Sequence, residues 1–196
     1  MKQTLSLIPF ALLAACSSQS SADPEPTAEE TVSVTPAPPM APEKKAPAPD
    51  PAPSANTLTL AGLGDLRIGQ AVPAGSGWSE QGAQVSDMCR VISSPDYPDA
   101  YAIVEKGRVQ RISIGGGSQV RLAEGIGPGV SEAAVKQYFP FPATPHKYVD
   151  APGKYLTAPN ADSGDPVLRF EIGSDGTVSQ IHVGTMPVLG YVEACS

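Results

Sequence analysis

The feature that most constrains the fold is a nine-residue pattern that occurs twice. The pattern, Gly-x-Val-x-(Arg/Gln)-Ile-x-(Ile/Val)-Gly, covers residues 107–115 and 176–184, which are offset by 69 residues. In each copy an apolar run and a short turn with glycine lead into the pattern, from residues 101 and 167 onward. Apolar β-branched runs joined by such a turn are typical of β-hairpins. We therefore predict two similar hairpins in one domain.

The first valine of each copy interrupts the alternation expected of a strand. Val109 and Val178 lie out of step with the isoleucine and valine residues that follow them. Because the interruption falls at the same point of both copies, it predicts a β-bulge or a strand end there.

A helical region is expected before each hairpin. In residues 124–139, Ser131 is a suitable N-cap, and Val135, Tyr138 and Phe139 share one helical face. The corresponding region from residue 62 onward predicts a weaker helix, because prolines and glycines interrupt it. The sequence thus predicts an α+β fold of two similar halves, each a short helical region followed by an antiparallel sheet.

The N-terminus has the composition of a secretory signal peptide, assigned to residues 1–15. Lys2 precedes a short apolar run, and small residues then lead directly to Cys16 in the sequence Leu-Ala-Ala-Cys. The run is too short to cross a bilayer as a helix, which takes about 20 residues. These features indicate a lipoprotein signal, cut before Cys16, whose thiol and freed amine then carry acyl chains. The alternative is an ordinary secretory signal followed by a chance cysteine.

Residues 16–56 differ in composition from the rest of the chain. They are rich in Pro, Ala, Ser, Thr and Glu and contain no aromatic residue. Such a segment buries too little apolar surface to fold, so we predict a disordered Pro/Ala-rich tether with a bias toward polyproline II. A docking ligand for an aromatic groove is the alternative. Ser17 stands where aspartate usually retains lipoproteins at the inner membrane, so this resemblance implies the outer membrane, facing the periplasm.

Residues 57–196 form the predicted globular domain, with enough residues for a core of its own. They contain 14 acidic and 10 basic residues, and the whole chain has a net charge of -7. This balance lacks the basic footprint of a nucleic-acid binder, so no nucleic-acid partner is expected. The expected contact with the membrane is the lipid anchor at Cys16.

Lipidation of Cys16 leaves two further cysteines, Cys89 and Cys195. In an oxidising compartment they are expected to form a disulfide that closes a loop of about 106 residues. Two buried free thiols are the alternative. No metal site or cofactor is expected, because neither cysteine has a Cys or His partner at ligand spacing.

Three short motifs carry a resemblance to a group of bacterial envelope proteins. They are the glycine-rich helix start at residues 125–132, the repeated hairpin pattern, and the C-terminal Tyr-Val-Glu-Ala-Cys at residues 191–195. Ala194 stands where the group has glycine. The resemblance covers most of residues 60–196 and implies no catalytic residues. In architecture, the repeat is also similar to the SmpA/OmlA outer-membrane assembly lipoproteins and to the β-lactamase-inhibitor protein.

Candidate residues for catalysis are few. Of the two histidines, His146 lies near a loop, and His182 alternates outward from Ile181 and Val183 on a predicted strand. They form no His-x-x-x-His zinc pattern. The Gly-x-Ser-x-Gly motif of many hydrolases does not occur. An enzyme would require a pocket in which His146 or His182 meets a carboxylate.

Four residues are candidates for an interaction surface. Trp78, the only tryptophan, and Tyr97 could be exposed binding anchors, and Tyr97 lies in a predicted loop. Packing in the interior is the alternative for both, at the repeat junction in the case of Trp78. Arg111 and Arg121 lie on predicted strands, where they could bind an anionic glycan or an acidic partner, or simply be solvated.

Together these features predict a non-catalytic binding or assembly module anchored at the outer membrane, with another envelope protein as its partner. One alternative is a protein inhibitor of an envelope hydrolase. A small-ligand-binding or glycan-binding protein and a small enzyme are further alternatives.

Overall fold

The computed structural model describes residues 54–195, apart from residues 83 and 85. The predicted signal peptide, Cys16 and nearly all of the predicted tether lie outside the described residues. The described part forms ten β-strands, one α-helix and two short 3-10 helices. The first two strands, β1 (Gly62–Leu63) and β2 (Leu66–Arg67), pair as a small hairpin of their own.

The remaining strands belong to one sheet. They are β3 (Ser79–Glu80), β4 (Cys89–Ser93), β5 (Ala100–Glu105), β6 (Arg108–Gly115), β7 (Ala143–Pro145), β8 (Lys154–Thr157), β9 (Val167–Ile172) and β10 (Val178–Gly184). The helix α1 spans Glu132–Tyr138, and the 3-10 helices span Ala161–Ser163 and Val188–Gly190.

The main sheet is antiparallel throughout, with the strand order β3-β4-β5-β6-β10-β9-β8-β7. This order consists of two four-stranded meanders, β3 to β6 and β7 to β10, which join through their last strands. Strands β6 and β10 carry the two copies of the repeated pattern and pair with each other. The two copies therefore form the central strand pair of a single sheet.

Both predicted hairpins are present, as β5–β6 and β9–β10. Each contains the irregularity that the sequence indicated after its first valine. In β6 the extra residue is Gln110, between the paired residues Val109 and Arg111. In β10 it is Ser179, which follows Val178. The predicted bulges are thus confirmed at equivalent positions of the two copies.

The predicted α+β architecture, with a helical region before the sheet of each half, is wrong. The fold is mostly β, and α1 is the only α-helix among the described residues. Ser131 caps α1 as expected, because its hydroxyl accepts a hydrogen bond from the Ala134 N–H. Before the first meander, the described residues 68–78 contain turns and no helix. Pro73 and its neighbouring glycines disfavour a helix there.

The main core lies on one face of the sheet, called the first face. It packs against α1 and the β1–β2 hairpin, which contribute Val135, Leu63 and Leu66. Phe170 is fully buried in this core, with its ring centroid 5.3 Å from that of Phe139. Strands β6 and β10 contribute Ile112, Ile114, Ile181 and Val183, all fully buried.

The opposite face, called the second face, is partly covered by the C-terminal residues 185–195. Val188 packs there with Ile103 and Cys89. A disulfide joins Cys89 to Cys195, whose Cα atoms lie 5.9 Å apart. This pairing agrees with the disulfide expected from the sequence. The second face therefore carries a second, smaller core next to the disulfide.

Candidate functional site

A row of polar side chains crosses the second face where the two meanders meet. Ser113 of β6 pairs with His182 of β10, and His182 pairs with Arg169 of β9. Residues directly opposite each other on antiparallel strands project from the same face. Two residues after Arg169 on β9, and therefore on the same face, Glu171 pairs with Tyr155 of β8. Alternation along the strands thus places these five polar side chains side by side.

Three of these residues, Ser113, His182 and Glu171, form a series of hydrogen bonds that continues to His146, the residue after β7. These four residues are called here the His–Glu network. His182 Nδ1 lies 2.8 Å from Ser113 Oγ, and His182 Nε2 lies 3.1 Å from Glu171 Oε1. The other carboxylate oxygen, Glu171 Oε2, lies 3.4 Å from His146 Nε2. One buried carboxylate therefore contacts both histidines of the chain.

The tautomer of His146 follows from its partners. His146 Nδ1 accepts hydrogen bonds from the backbone N–H groups of Tyr148 and Val149, each at 3.1 Å. A ring nitrogen that accepts carries no proton, so in the neutral ring the proton resides on Nε2 and is donated to Glu171. The ring also stacks on Tyr155, with the centroids 4.4 Å apart.

Burial and hydrogen bonding together set the charge state of the network. The side chain of His182 is almost fully enclosed, and this burial lowers its pKa despite the hydrogen bond to Glu171. Burial alone would raise the pKa of Glu171, but the hydrogen bonds from His182 and His146 outweigh it and lower that pKa overall. At neutral pH the network thus combines an ionised Glu171 with a neutral His182.

The arginines of this face have structural contacts. Arg111 is only 1% exposed, and its Nη1 donates to the carbonyl oxygens of Val188 and Tyr191 in the C-terminal segment. Its Nη2 donates to the Tyr101 hydroxyl at 3.0 Å. The guanidinium of Arg169 lies 3.9 Å from the centre of the Tyr155 ring, a cation–π contact. Arg111 therefore fixes the C-terminal segment to the sheet.

The four predicted interaction residues do not come together as one surface. Trp78 is 6% exposed and stacks on Tyr97, with the ring centroids 5.6 Å apart, against the core of the first face. Arg111 is buried on the second face. Arg121 is partly buried and donates to the carbonyl oxygens of Ser118 and Val120. Trp78 and Arg111 thus serve packing and cannot touch a partner directly in this state.

The His–Glu network is not predicted by the sequence. The alternation along the strand correctly places His182 on the face opposite Ile181 and Val183, but no local signal shows that this face is covered. A signal was nevertheless present. Ser113 and His182 occupy the same position in the two copies of the pattern, 69 residues apart. Pairing the two copies antiparallel brings these two residues face to face.

A pocket of about 490 Å³ lies at the His146 end of the network. Strand β7 and the loop after it line the pocket, with apolar residues such as Pro145, Val149 and Pro152 and the side chain of Lys154. His146 is the member of the network that lines this pocket. Ser113, at the other end of the His–Glu network, has no exposed surface. A ligand in the pocket would meet the imidazole of His146 and not the serine hydroxyl.

The described residues include no group of three or more His, Cys, Asp or Glu side chains placed to hold a metal ion. In the same part of the chain, no helix is long and apolar enough to span a membrane. No family model, no curated protein and no solved structure matches the chain.

Proposed function

We propose that this chain is a lipid-anchored binding module of the cell envelope, without catalytic activity, held at the outer membrane through Cys16. The observation that best supports a non-catalytic role is the burial of Ser113 and His182, which are 0% and 2% exposed. A nucleophile and its base must reach the substrate to act on it. The lipoprotein signal in the sequence supports the anchor.

The loop that follows β7 offers a surface for a protein partner. Tyr148 is 57% exposed there, beside the pocket lined by Val149 and Pro152. Its hydroxyl bonds to Glu193 of the C-terminal segment, which orients the ring. Exposed tyrosines with an oriented ring and an adjacent apolar pocket are typical anchors of protein interfaces. The proposed partner is another protein of the envelope.

Photo-crosslinking in cells tests this proposal. The full chain would carry a photoreactive phenylalanine analogue at position 148. A matched variant would carry it at position 138, because Tyr138 on α1 is similarly exposed, at 56%. We expect one dominant crosslinked envelope protein from position 148 and not from position 138. Equal, diffuse crosslinking from both positions, or none, would contradict the proposal, and the identity of the partner would also reveal an inhibitor.

A small enzyme is the second candidate, because His146 meets a carboxylate at a pocket, as an enzyme would require. Both histidines contact a carboxylate, and Ser113, His182 and Glu171 follow the order of a serine, histidine and acid triad. A fluorophosphonate probe, which labels activated serines, separates the two candidates. The binding proposal expects the full chain to label no more than a Ser113→Ala variant. Covalent labelling of Ser113 would establish the hydrolase instead.

A further inference from the structure

The first turn of the loop formed by residues 146–153 depends on one imidazole nitrogen. His146 Nδ1 accepts the N–H groups of both Tyr148 and Val149, each at 3.1 Å. The base of the loop is closed separately by a backbone hydrogen bond from His146 N–H to the Gly153 carbonyl oxygen. The Lys147 N–H also donates to the Tyr155 hydroxyl of β8, at 3.4 Å. The ring nitrogen is thus the acceptor for the part of the turn that begins at Tyr148.

We propose that protonation of His146 releases residues 148–152 from its ring, so that this part of the loop is a pH-sensitive latch beside the pocket. A protonated imidazole carries N–H on both nitrogens and accepts no hydrogen bond. Its Nδ1–H would then face the N–H groups of Tyr148 and Val149. Those two amides would lose their acceptor, and the turn would lose its attachment to the ring.

The surroundings of the ring favour release of the loop and not of the ring. Glu171 of β9 contacts Nε2, and a hydrogen bond from an imidazolium to a carboxylate is stronger than one from a neutral ring. Tyr155 of β8 stacks on the ring and keeps it in place. Protonation therefore strengthens the contact of His146 with the sheet while it breaks the contact with the loop.

Other titratable groups face the same site. Lys154 and Asp150 line the pocket next to His146, and Lys147 follows it in the chain. On the sheet side, His182 bonds to the same carboxylate and Arg169 contacts Tyr155. The Glu171 carboxylate lies within 3.4 Å of His146 Nε2, so the protonated ring is stabilised where it lies. This inference goes beyond the proposed function and does not depend on it.

Hydrogen exchange of the full chain in detergent micelles tests the latch. Protection of the Tyr148 and Val149 amides would be measured at about pH 7.5 and about pH 5, the range in which histidine titrates, after correction for intrinsic exchange. We expect protection to fall roughly tenfold at the lower pH, the effect of losing one ordinary hydrogen bond. The Thr177 amide is the internal control, because its acceptor is the Asp175 carboxylate, at 2.9 Å. A parallel fall at Thr177 would reveal general unfolding and overturn the latch.

Two variants at position 146 give the test its specificity. The His146→Asn side chain still accepts from the amide two residues later but does not titrate, so its loop should stay protected at both pH values. The His146→Phe ring can stack on Tyr155 but accepts nothing, so its loop should be unprotected at both. Unchanged protection in the wild type, or an equal fall in His146→Asn, would overturn the proposal.

Discussion

Ser113 and His182 show how two equivalent positions can acquire complementary roles. In the neutral ring His182 donates from Nε2 to Glu171 and therefore needs a donor at Nδ1, which the Ser113 hydroxyl supplies. Both residues are buried, so water cannot replace either partner without opening the face. The sequence predicted the face of His182 but not its burial, because no local signal shows that residues 185–195 fold back over this face.

We predict that Ser113→Ala destabilises the folded state by about 1–3 kcal/mol, because it leaves a buried ring nitrogen of His182 without a partner. Ser174→Ala in the exposed turn before β10 is the matched control and should change stability by less than about 0.5 kcal/mol. Denaturant unfolding of both full-length variants measures the difference. Equal stabilities would show that the hydrogen bond contributes nothing.

The folded state should lose stability as the pH falls below about 6.5, the ordinary pKa of histidine. His182 has a lowered pKa in the fold, so below that pH the unfolded chain binds a proton that the folded chain does not. The loss is at most about 1.4 kcal/mol per pH unit for this one proton. Below about pH 4.5, Glu171 adds a loss of the same sign, because its pKa is also lowered in the fold.

Unfolding midpoints measured across this pH range check the prediction. His182→Gln removes the titrating group while an amide N–H still faces Glu171, so its stability should depend less on pH between about 6.5 and 5. His146→Asn is the matched control for the other histidine. If the pH dependence persisted unchanged in His182→Gln, the protonation of His182 would not be its cause.

At the scale of elements, the repeated pattern predicted the strands better than the helices. The hairpins and their bulges follow from local signals in the chain, namely β-branched runs, glycine turns and an interrupted alternation. The helix predicted in the first half is absent from residues 68–78, because that prediction came from analogy with the second half and not from the residues themselves. Pro73 disfavours a helix there. The residues of each copy therefore determine whether a helix forms.

The bulge of β6 explains the glycine that ends β10. A Cβ atom on Gly184 would lie 2.9 Å from Arg111 Cα and even closer to the Gln110 carbonyl oxygen. At the equivalent Gly115 the nearest atom would be Gln180 Cγ, at 3.0 Å, in a side chain that can move. The backbone of β6 has no such freedom, so only Gly184 is required for close approach.

Accordingly, Gly184→Ala should destabilise the fold by about 2 kcal/mol or more, because the clash is with backbone atoms. Gly115→Ala, the matched variant in the other copy, should cost clearly less. The free energies of unfolding of the two full-length variants give the comparison. The reverse order would contradict this account of the bulge.

At the scale of the whole molecule, the strand order joins two meanders into one sheet. The sequence predicted one domain whose halves each have a sheet of their own, because the sequence of a strand does not specify which strand will be its neighbour. The site was missed for the same reason: Glu171, His182 and Ser113 lie on three strands, and His146 follows a fourth. The long-range connection that the sequence did indicate is the pairing of Cys89 with Cys195.

Removing this disulfide should cost the fold about 2–4 kcal/mol, since it closes a loop of 106 residues and fixes the C-terminal segment over the second face. A Cys89→Ser, Cys195→Ser double variant avoids a lone thiol. Met88→Ala at the exposed neighbouring position is the control, with an expected change below about 0.5 kcal/mol. Denaturant unfolding of the full chain would measure both, and an unchanged double variant would refute the prediction.

The proposed anchor predicts a mature chain that begins at an acylated Cys16. Mass spectrometry of the N-terminal peptide should find acyl chains in the wild type and in Ser17→Ala, whereas Cys16→Ala should keep its leader and carry none. Partition into the detergent phase should follow the same pattern. A wild-type chain with a free Cys16 thiol would contradict the anchor. Recovery in the inner-membrane fraction would contradict the outer-membrane address.

The pairing of equivalent strands has a consequence for ancestry. A protein of half the length, with a single meander, could build the same eight-stranded sheet as a homodimer by pairing its last strand with that of a second copy. Position 113 would then meet itself on the twofold axis, and two identical side chains could not play different parts. Fusion of the copies into one gene frees the two sides to diverge, and a serine facing a histidine is an outcome that only the duplicated form permits.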